Sequence, residues 1–233
     1  MIDTRPLPFK RNCLERLQKT MSLSCIVDVG VQKATPELID VFPDKKHYLF
    51  EPVTFFHEEI KSNYANLNYH LYPIALSDIQ ESMYVVTSSL NANGVPTHGH
   101  IIDKPVDIDG NKIINCTTVE VNRFDQLDLD IEKDFLLKVD VDGKDLEVLK
   151  GFGELLGSAA VIIVEATFRS IASRMACCLA SGFQLMDIVD IVYYGQSIYQ
   201  CDLVFIRDDL LTKDIRPSMQ NFKREQWAPF KNL

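Results

Sequence analysis

Two kinds of segment alternate along the chain: short, nearly continuous apolar runs, and stretches whose apolar residues recur every three or four positions. The runs at residues 24–30, 46–51, 68–76, 135–141, 161–165, 183–192 and 201–207 have the length and density expected of strands covered on both faces, as in a parallel sheet. Helical spacing fills the intervals. Leu14, Leu17 and Met21 suggest a short amphipathic helix, Phe56, Ile60 and Tyr64 another, and Leu146 and Leu149 a third. Thr35-Pro36-Glu37 predicts an N-cap, an N1 proline and a first-turn acid for a helix running to Phe42 before Pro43. Ile171 to Ala180 reads as a further helix. Strands alternating with helices and closed by a hairpin predict an α/β fold with helices on both faces of a mostly parallel sheet.

The middle of the chain is less regular. MYVVTSS and INCTTVEV look like strands enclosing a turn-rich stretch with Gly94, Gly99 and Gly110, expected to be a variable insertion at about 87–115 that contacts substrate. His98 and His100 fall inside it, either as solvated loop residues or as general bases, for which an imidazole is suited. The boundaries follow: a helical extension over 1–23, one domain over 24–207, and a polar tail over 208–233 with Trp227, as a docked flap or a mobile end.

Composition narrows the partners. With 233 residues, 46% hydrophobic, the chain suits one sizeable α/β domain. A net charge of −9 offers no basic field for nucleic acid or an anionic membrane, so a small-molecule partner is expected. Six cysteines lie scattered without metal-ligand spacing, and no stretch has the length of a membrane span or a signal-peptide core; the expected location is cytoplasmic.

Chemistry concentrates in FLLKVDVDGKDLEVLKG, residues 135–151, where the period changes from strand to helix. Alternation places Lys138, Asp140 and Asp142 on one side of the strand, a polar stripe at the carboxyl end where open α/β sheets bind ligands. Lys138–Asp140 is open to two readings, a structural pair or part of a reaction site, since charges are costly to bury unless paired or used. Asp142 is a possible cap for the next helix and Gly151 its terminator. VIIVE ends in Glu165, which lies beside Asp140 if the two strands are neighbours. The first strand ends in Asp28 and Gly30, and Glu51 ends the second about 20 residues beyond Gly30, the spacing at which an acid accepts hydrogen bonds from ribose hydroxyls.

LLKVDVDGKDLEVLKG resembles the LK-aliphatic-D-V-E-G-x-E-x-x-x-L-x-G signature of the FkbM family of S-adenosylmethionine-dependent methyltransferases, with Asp142 where that family usually carries glutamate. The resemblance runs from about Cys25 to Arg207. Asp28 and Gly30 match the family's D-x-G-A-N-x-G loop while Val31, Gln32 and Ala34 depart from it; FEP and the ALSD segment at Ser77-Asp78 match two further motifs. It implies a Rossmann-like class I methyltransferase with a seven-stranded sheet. Cofactor contacts are then expected from Asp28, Gly30, Val31, Gln32, Glu51, Ser77, Asp78 and Asp140, and O-methylation of a sugar, polyketide or similar metabolite. Asp140, His98, His100 and Glu165 are the base candidates. Asp140, Asp142 and Glu165 offer hard oxygen ligands for Mg2+, or alternatively a partner for the methionine ammonium. Two other readings stay open: a non-catalytic binding protein with an altered cofactor loop, and a nicotinamide-dependent oxidoreductase, against which the missing G-x-G-x-x-G argues.

Overall fold

The computed structural model describes residues 8–89, 96, 98–107, 113–212 and 215. Gly94, Gly110 and Trp227 lie outside these described residues, as does the side chain of His98.

The elements follow the predicted alternation. Helix α1 (Lys10–Thr20) leads to β1 (Cys25–Val29), α2 (Pro36–Val41), β2 (Lys46–Phe50), α3 (His57–Asn63) and β3 (Asn68–Tyr72). A second group comprises β4 (Ala75–Leu76), β5 (Glu81–Ser88), β6 (His98–Ile102) and β7 (Ile113–Asn122). The chain then returns with β8 (Phe135–Val139), α4 (Asp145–Gly151), β9 (Ala159–Thr167), α5 (Ile171–Ala180), β10 (Phe183–Tyr194) and β11 (Ser197–Arg207).

Seven strands form the main sheet in the order β10-β11-β9-β8-β1-β2-β3. Pairings among β3, β2, β1, β8 and β9 are parallel, and β11 runs antiparallel to both its neighbours. This is the Rossmann-like arrangement of class I methyltransferases, and its order reverses between β1 and β8, the kind of switch point where such sheets bind ligands. Leu14, Leu17, Leu38 and Val41 of α1 and α2 pack with Ile26, Leu136 and Val161 on one face. Val148, Leu149 and Cys178 of α4 and α5 pack with Val27, Leu137 and Ile162 on the other.

Three expectations are corrected. Residues 68–76 are not one strand: β3 ends at Tyr72, and after Pro73, which has no N–H to donate, β4 joins a separate four-stranded sheet, β4-β7-β5-β6. His98 and His100 are not loop residues, because β6 pairs antiparallel with β5. Gly151 is not a left-handed terminator but the last helical residue of α4. A Cβ there would stand 2.0 Å from the Ser77 carbonyl oxygen, so glycine lets α4 press against the chain leaving β4.

A candidate cofactor and methyl-transfer site

Around the carboxyl ends of β1, β2 and β8 lies a cavity of about 320 Å³, within the range of small-molecule sites. Its polar lining is Gln32, Glu51, Lys138, Asp140, Asp142, Lys144, Glu165 and Gln200; Val31, Val53, Phe56, Ile74, Leu76 and Ile101 supply apolar walls.

Lys138 is the buried hub. Its ammonium lies 3.3 Å from Asp28 and 3.5 Å from Asp140, and donates to the Gly30 carbonyl at 3.0 Å. Burial works against its charge, yet the Asp28 and Asp140 carboxylates outweigh this and raise its pKa, so it stays protonated. Asp28 is fully buried and accepts a 2.7 Å hydrogen bond from the Thr35 hydroxyl. Thr35 therefore stands at the N-cap of α2 as expected but spends its hydroxyl on β1 and not on the helix.

Gly30 turns the chain over the end of β8. With φ +82° and a notional Cβ only 1.9 Å from the Asp140 carbonyl oxygen, no larger residue fits there. Gln32 follows at φ 54° and donates its backbone N–H to Glu51 at 2.7 Å; Val53 donates to the other Glu51 oxygen at 2.8 Å. Burial pushes the Glu51 carboxyl up to about 7 against the pull of those two hydrogen bonds.

The parallel pairing of β8 with β9 brings Glu165 beside Asp140. Burial favours neutral Asp140, but the Lys138 charge and a hydrogen bond with Glu165 hold its carboxyl below the ordinary range. Burial, then the Asp140 charge, push Glu165 up to about 8. Near neutral pH the pair thus shares one proton, held by Glu165 and donated to the Asp140 carboxylate. A raised acid pKa has a definite linkage sign: from about 4.5 to about 8 unfolding releases the Glu165 proton, so its contribution to stability is lost as pH rises through that window, with Glu51 acting likewise up to about 7. The wild-type melting temperature is expected to fall more steeply between about pH 5 and 8 than that of Glu165→Gln; parallel curves would contradict the shared proton.

Of the sequence-predicted residues, the fold gathers Gly30, Val31, Gln32, Glu51, Asp140, Asp142 and Glu165 at the cavity. Asp28 sits behind it, holding Lys138 and Thr35. Ser77 and Asp78 border a small adjoining pocket of about 60 Å³ that shares Leu76, Ile101 and Lys144 with the main one. His100 is exposed; Gly99 and Ile101, on the alternate face of β6, line the cavity instead. Asp142 does not cap α4, whose N-cap is Lys144 without a side-chain bond, and Asp142 takes φ 52°. Among the described residues no group of three acids, histidines or cysteines is placed to hold a metal ion, which removes the ground for a Mg2+ site at Asp140, Asp142 and Glu165. The sequence reading missed Lys144 and Gln200; the signal for Gln200 was a polar residue directly before the buried run of β11.

The strand order with a cavity at its switch point defines a class I methyltransferase fold. Residues 28–186 match the family model described as the methyltransferase FkbM domain, and the chain belongs to that family, a family of S-adenosylmethionine-dependent methyltransferases. No curated protein matches the chain significantly. Similar solved structures include a precorrin-6y C5,15-methyltransferase from Geobacter metallireducens (10% identity, 88% of this chain and 94% of that one, TM-score 0.46). M. capricolum TrmK in complex with S-adenosyl-homocysteine is another (10% identity, 88% and 70%, TM-score 0.49), as is the fibrillarin pre-rRNA processing protein of Methanococcus jannaschii (15% identity, 80% and 67%, TM-score 0.48). Nothing about this chain's acceptor follows from them.

The residues present fit S-adenosylmethionine. Gly30 brings bare backbone to the cavity wall, Ile74 and Leu76 give apolar walls for a base, and Glu51 offers acceptor oxygens beyond the two lone pairs already used. If Glu51 holds the ribose, Glu51→Ala is expected to weaken S-adenosylhomocysteine binding by about 1.5–3 kcal/mol. The variant should also stop distinguishing that ligand from its 2′,3′-dideoxy analogue. Undiminished discrimination in calorimetry would show that Glu51 serves only to hold the Gln32 and Val53 amides.

Proposed function

We propose that the protein transfers a methyl group to a hydroxyl of a small metabolite such as a sugar or polyketide. One observation carries this reading: an ionised carboxylate, Asp140, stands at the cavity with its side chain 40% exposed, steadied by Lys138 on one side and by the protonated Glu165 on the other. Bound in the cavity, S-adenosylmethionine supplies an electrophilic methyl on a positively charged sulfonium. What remains for the chain is to orient the acceptor oxygen, receive its proton and exclude competing water.

Asp140 accepts the hydrogen bond of the acceptor hydroxyl and takes its proton as the oxygen loses electron density to the methyl group. Lys138 keeps that carboxylate ionised beforehand. Glu165, already protonated, cannot compete for the same proton and hydrogen-bonds the carboxylate in place. Gln32 and Val53 amides hold Glu51, and the apolar walls keep bulk water from the reacting atoms. His98 remains a candidate only by sequence position. A net charge of −9 disfavours a polyanionic acceptor, and six cysteines that stay thiols suit a reducing, cytoplasmic setting.

Incubation with methyl-labelled S-adenosylmethionine and matched hydroxyl, amine and thiol acceptors, with products assigned by NMR, tests the acceptor class. Label in methyl ethers supports hydroxyl transfer. Label confined to amines or thiols overturns it.

A further inference from the structure

Three acids stand side by side across three strands. Val139 of β8 pairs with Val164 of β9, so Asp140 and Glu165 follow as hydrogen-bonded neighbours, and Glu165 stands opposite Asp202 of β11. Residues directly opposite in an antiparallel pair share a face. That face is the one α1 covers: Ile163 and Val204, each two positions from this row on its own strand, pack with Leu14 and Leu17. Asp140 and Glu165 handle the proton, whereas Asp202 has no part in that step.

A second lysine closes the row. The Lys10 ammonium of α1 lies 2.6 Å from Asp202, with 12% and 11% of the two side chains exposed, and 3.6 Å from Asp190. Burial works against its charge, but the Asp202 carboxylate outweighs this and raises its pKa, so Lys10 stays protonated. A distortion of β10 brings Lys10 there. Val189 stands opposite Asp202 and Val192 opposite Gln200, so β10 carries one extra residue between them. In this bulge Asp190 takes φ 48° and accepts the Lys10 backbone N–H at 3.0 Å, while its own N–H donates to the Pro8 carbonyl at 2.9 Å. These bonds fasten the first turn of α1 over Asp202 without using the Lys10 ammonium.

The charges that face the row are mostly negative. Lys138 and Asp28 lie two positions back along β8 and β1, Asp142 and Asp145 come from the segment after β8, Glu37 from α2 and Asp190 from β10. Arg174 is taken up by Asp145, and Lys138 is shared between Asp28 and Asp140, which leaves Lys10 to balance Asp202. Without it the Asp202 charge would act on Asp140 unopposed, and a buried row of carboxylates takes up protons until its charge is relieved.

We propose that Lys10 is a positioning residue of the methyl-transfer site: by neutralising Asp202 at the outer end of the row, it keeps Asp140 an ionised carboxylate for the acceptor hydroxyl. The N-terminal helix thus belongs to the site, although Lys10 does not line the cavity. This rests on the hydroxyl-transfer reading above, in which Asp140 receives the proton.

NMR of protein isotopically labelled at its aspartate and glutamate carboxyls follows the lower titration step of the Asp140–Glu165 pair, with the signals identified by their loss in Asp140→Asn and Glu165→Gln. Lys10→Met keeps most of the stem and removes the charge. It is expected to raise that step by about one to two pH units, the scale for losing a nearby opposite charge, and to move the acid limb of methyl transfer up with it. Lys10→Arg should leave both in place. Asp202→Asn added to Lys10→Met removes the unopposed charge and should bring the step most of the way back. If Lys10→Met does not fold, the comparison moves to Asp202→Asn, where losing the lysine strands no carboxylate, and adding Lys10→Met there should again raise the step. A step that stays put, a rise that Lys10→Arg shares, or one that Asp202→Asn leaves uncorrected would overturn the proposal and make Lys10 only an anchor of the helix. Hydroxyl methylation whose acid limb does not move in Lys10→Met would overturn it too, because Asp140 then does not receive the proton. The NMR step needs no acceptor: if it moves as expected in a protein that methylates no hydroxyl, the transfer reading fails and the link from Lys10 to Asp140 stands.

Discussion

Asp140→Asn is expected to lower methyl transfer by roughly 10²–10⁴-fold, the scale for removing a group that handles a proton in the transition state, while the melting temperature barely moves. The structure supplies the reason for this split. Lys138 has two carboxylate partners, and the one that is fully buried with it is Asp28, at 3.3 Å. Loss of the Asp140 charge leaves Lys138 still paired to Asp28 and hydrogen-bonded to the Gly30 carbonyl. The fold is thus insulated from the substitution, whereas the cavity loses its ionised acceptor. Single-turnover methylation and a thermal melt on one preparation check both halves. Retained activity with a melting temperature lowered by many degrees would make Asp140 the structural partner and Asp28 the dispensable one.

Arg174→Leu has the largest effect expected on the fold. Arg174 of α5 and Asp145 of α4 form an ion pair with 4% and 1% of their surfaces exposed. Asp145 also accepts the backbone N–H of Val141 at 3.1 Å, so the pair fixes the turn that carries Asp140 and Asp142. Removing the arginine strands a buried carboxylate and is expected to cost about 3–5 kcal/mol of stability, read as a lower urea midpoint. Asp145→Asn added to Arg174→Leu should recover part of that loss by removing the stranded charge. A single variant that loses less than about 1 kcal/mol would show that Asp145 finds another partner or water.

The legible part of this molecule was local. Period-2 alternation in residues 135–141 put Lys138 and Asp140 on one side without any tertiary information. The rule that ligands gather at carboxyl ends of parallel strands found Glu51 and Glu165 from the last residue of each apolar run. Contacts between distant segments were not legible. Asp145 and Arg174 are 29 residues apart on two helices where a charge normally signals a solvated face. Gly151 sits where a helix terminator is common, and only the approach of the Ser77 carbonyl explains it. Asp28 matched a cofactor motif, yet the same strand geometry that puts Gly30 at the cavity turns the Asp28 carboxylate inward to Lys138. The β6 strand was hidden because its sequence, HGHII, carries glycine and histidine where β-branched residues would have announced it.

The cavity between Gly30, Glu51 and Asp140 is expected to bind S-adenosylmethionine, which calorimetry with S-adenosylmethionine, S-adenosylhomocysteine and NAD measures. One molecule of either sulfur ligand is expected to bind per chain, with NAD silent and with binding weakened in Glu51→Ala. Heat from NAD alone, or no heat from either sulfur ligand in folded protein, would contradict it.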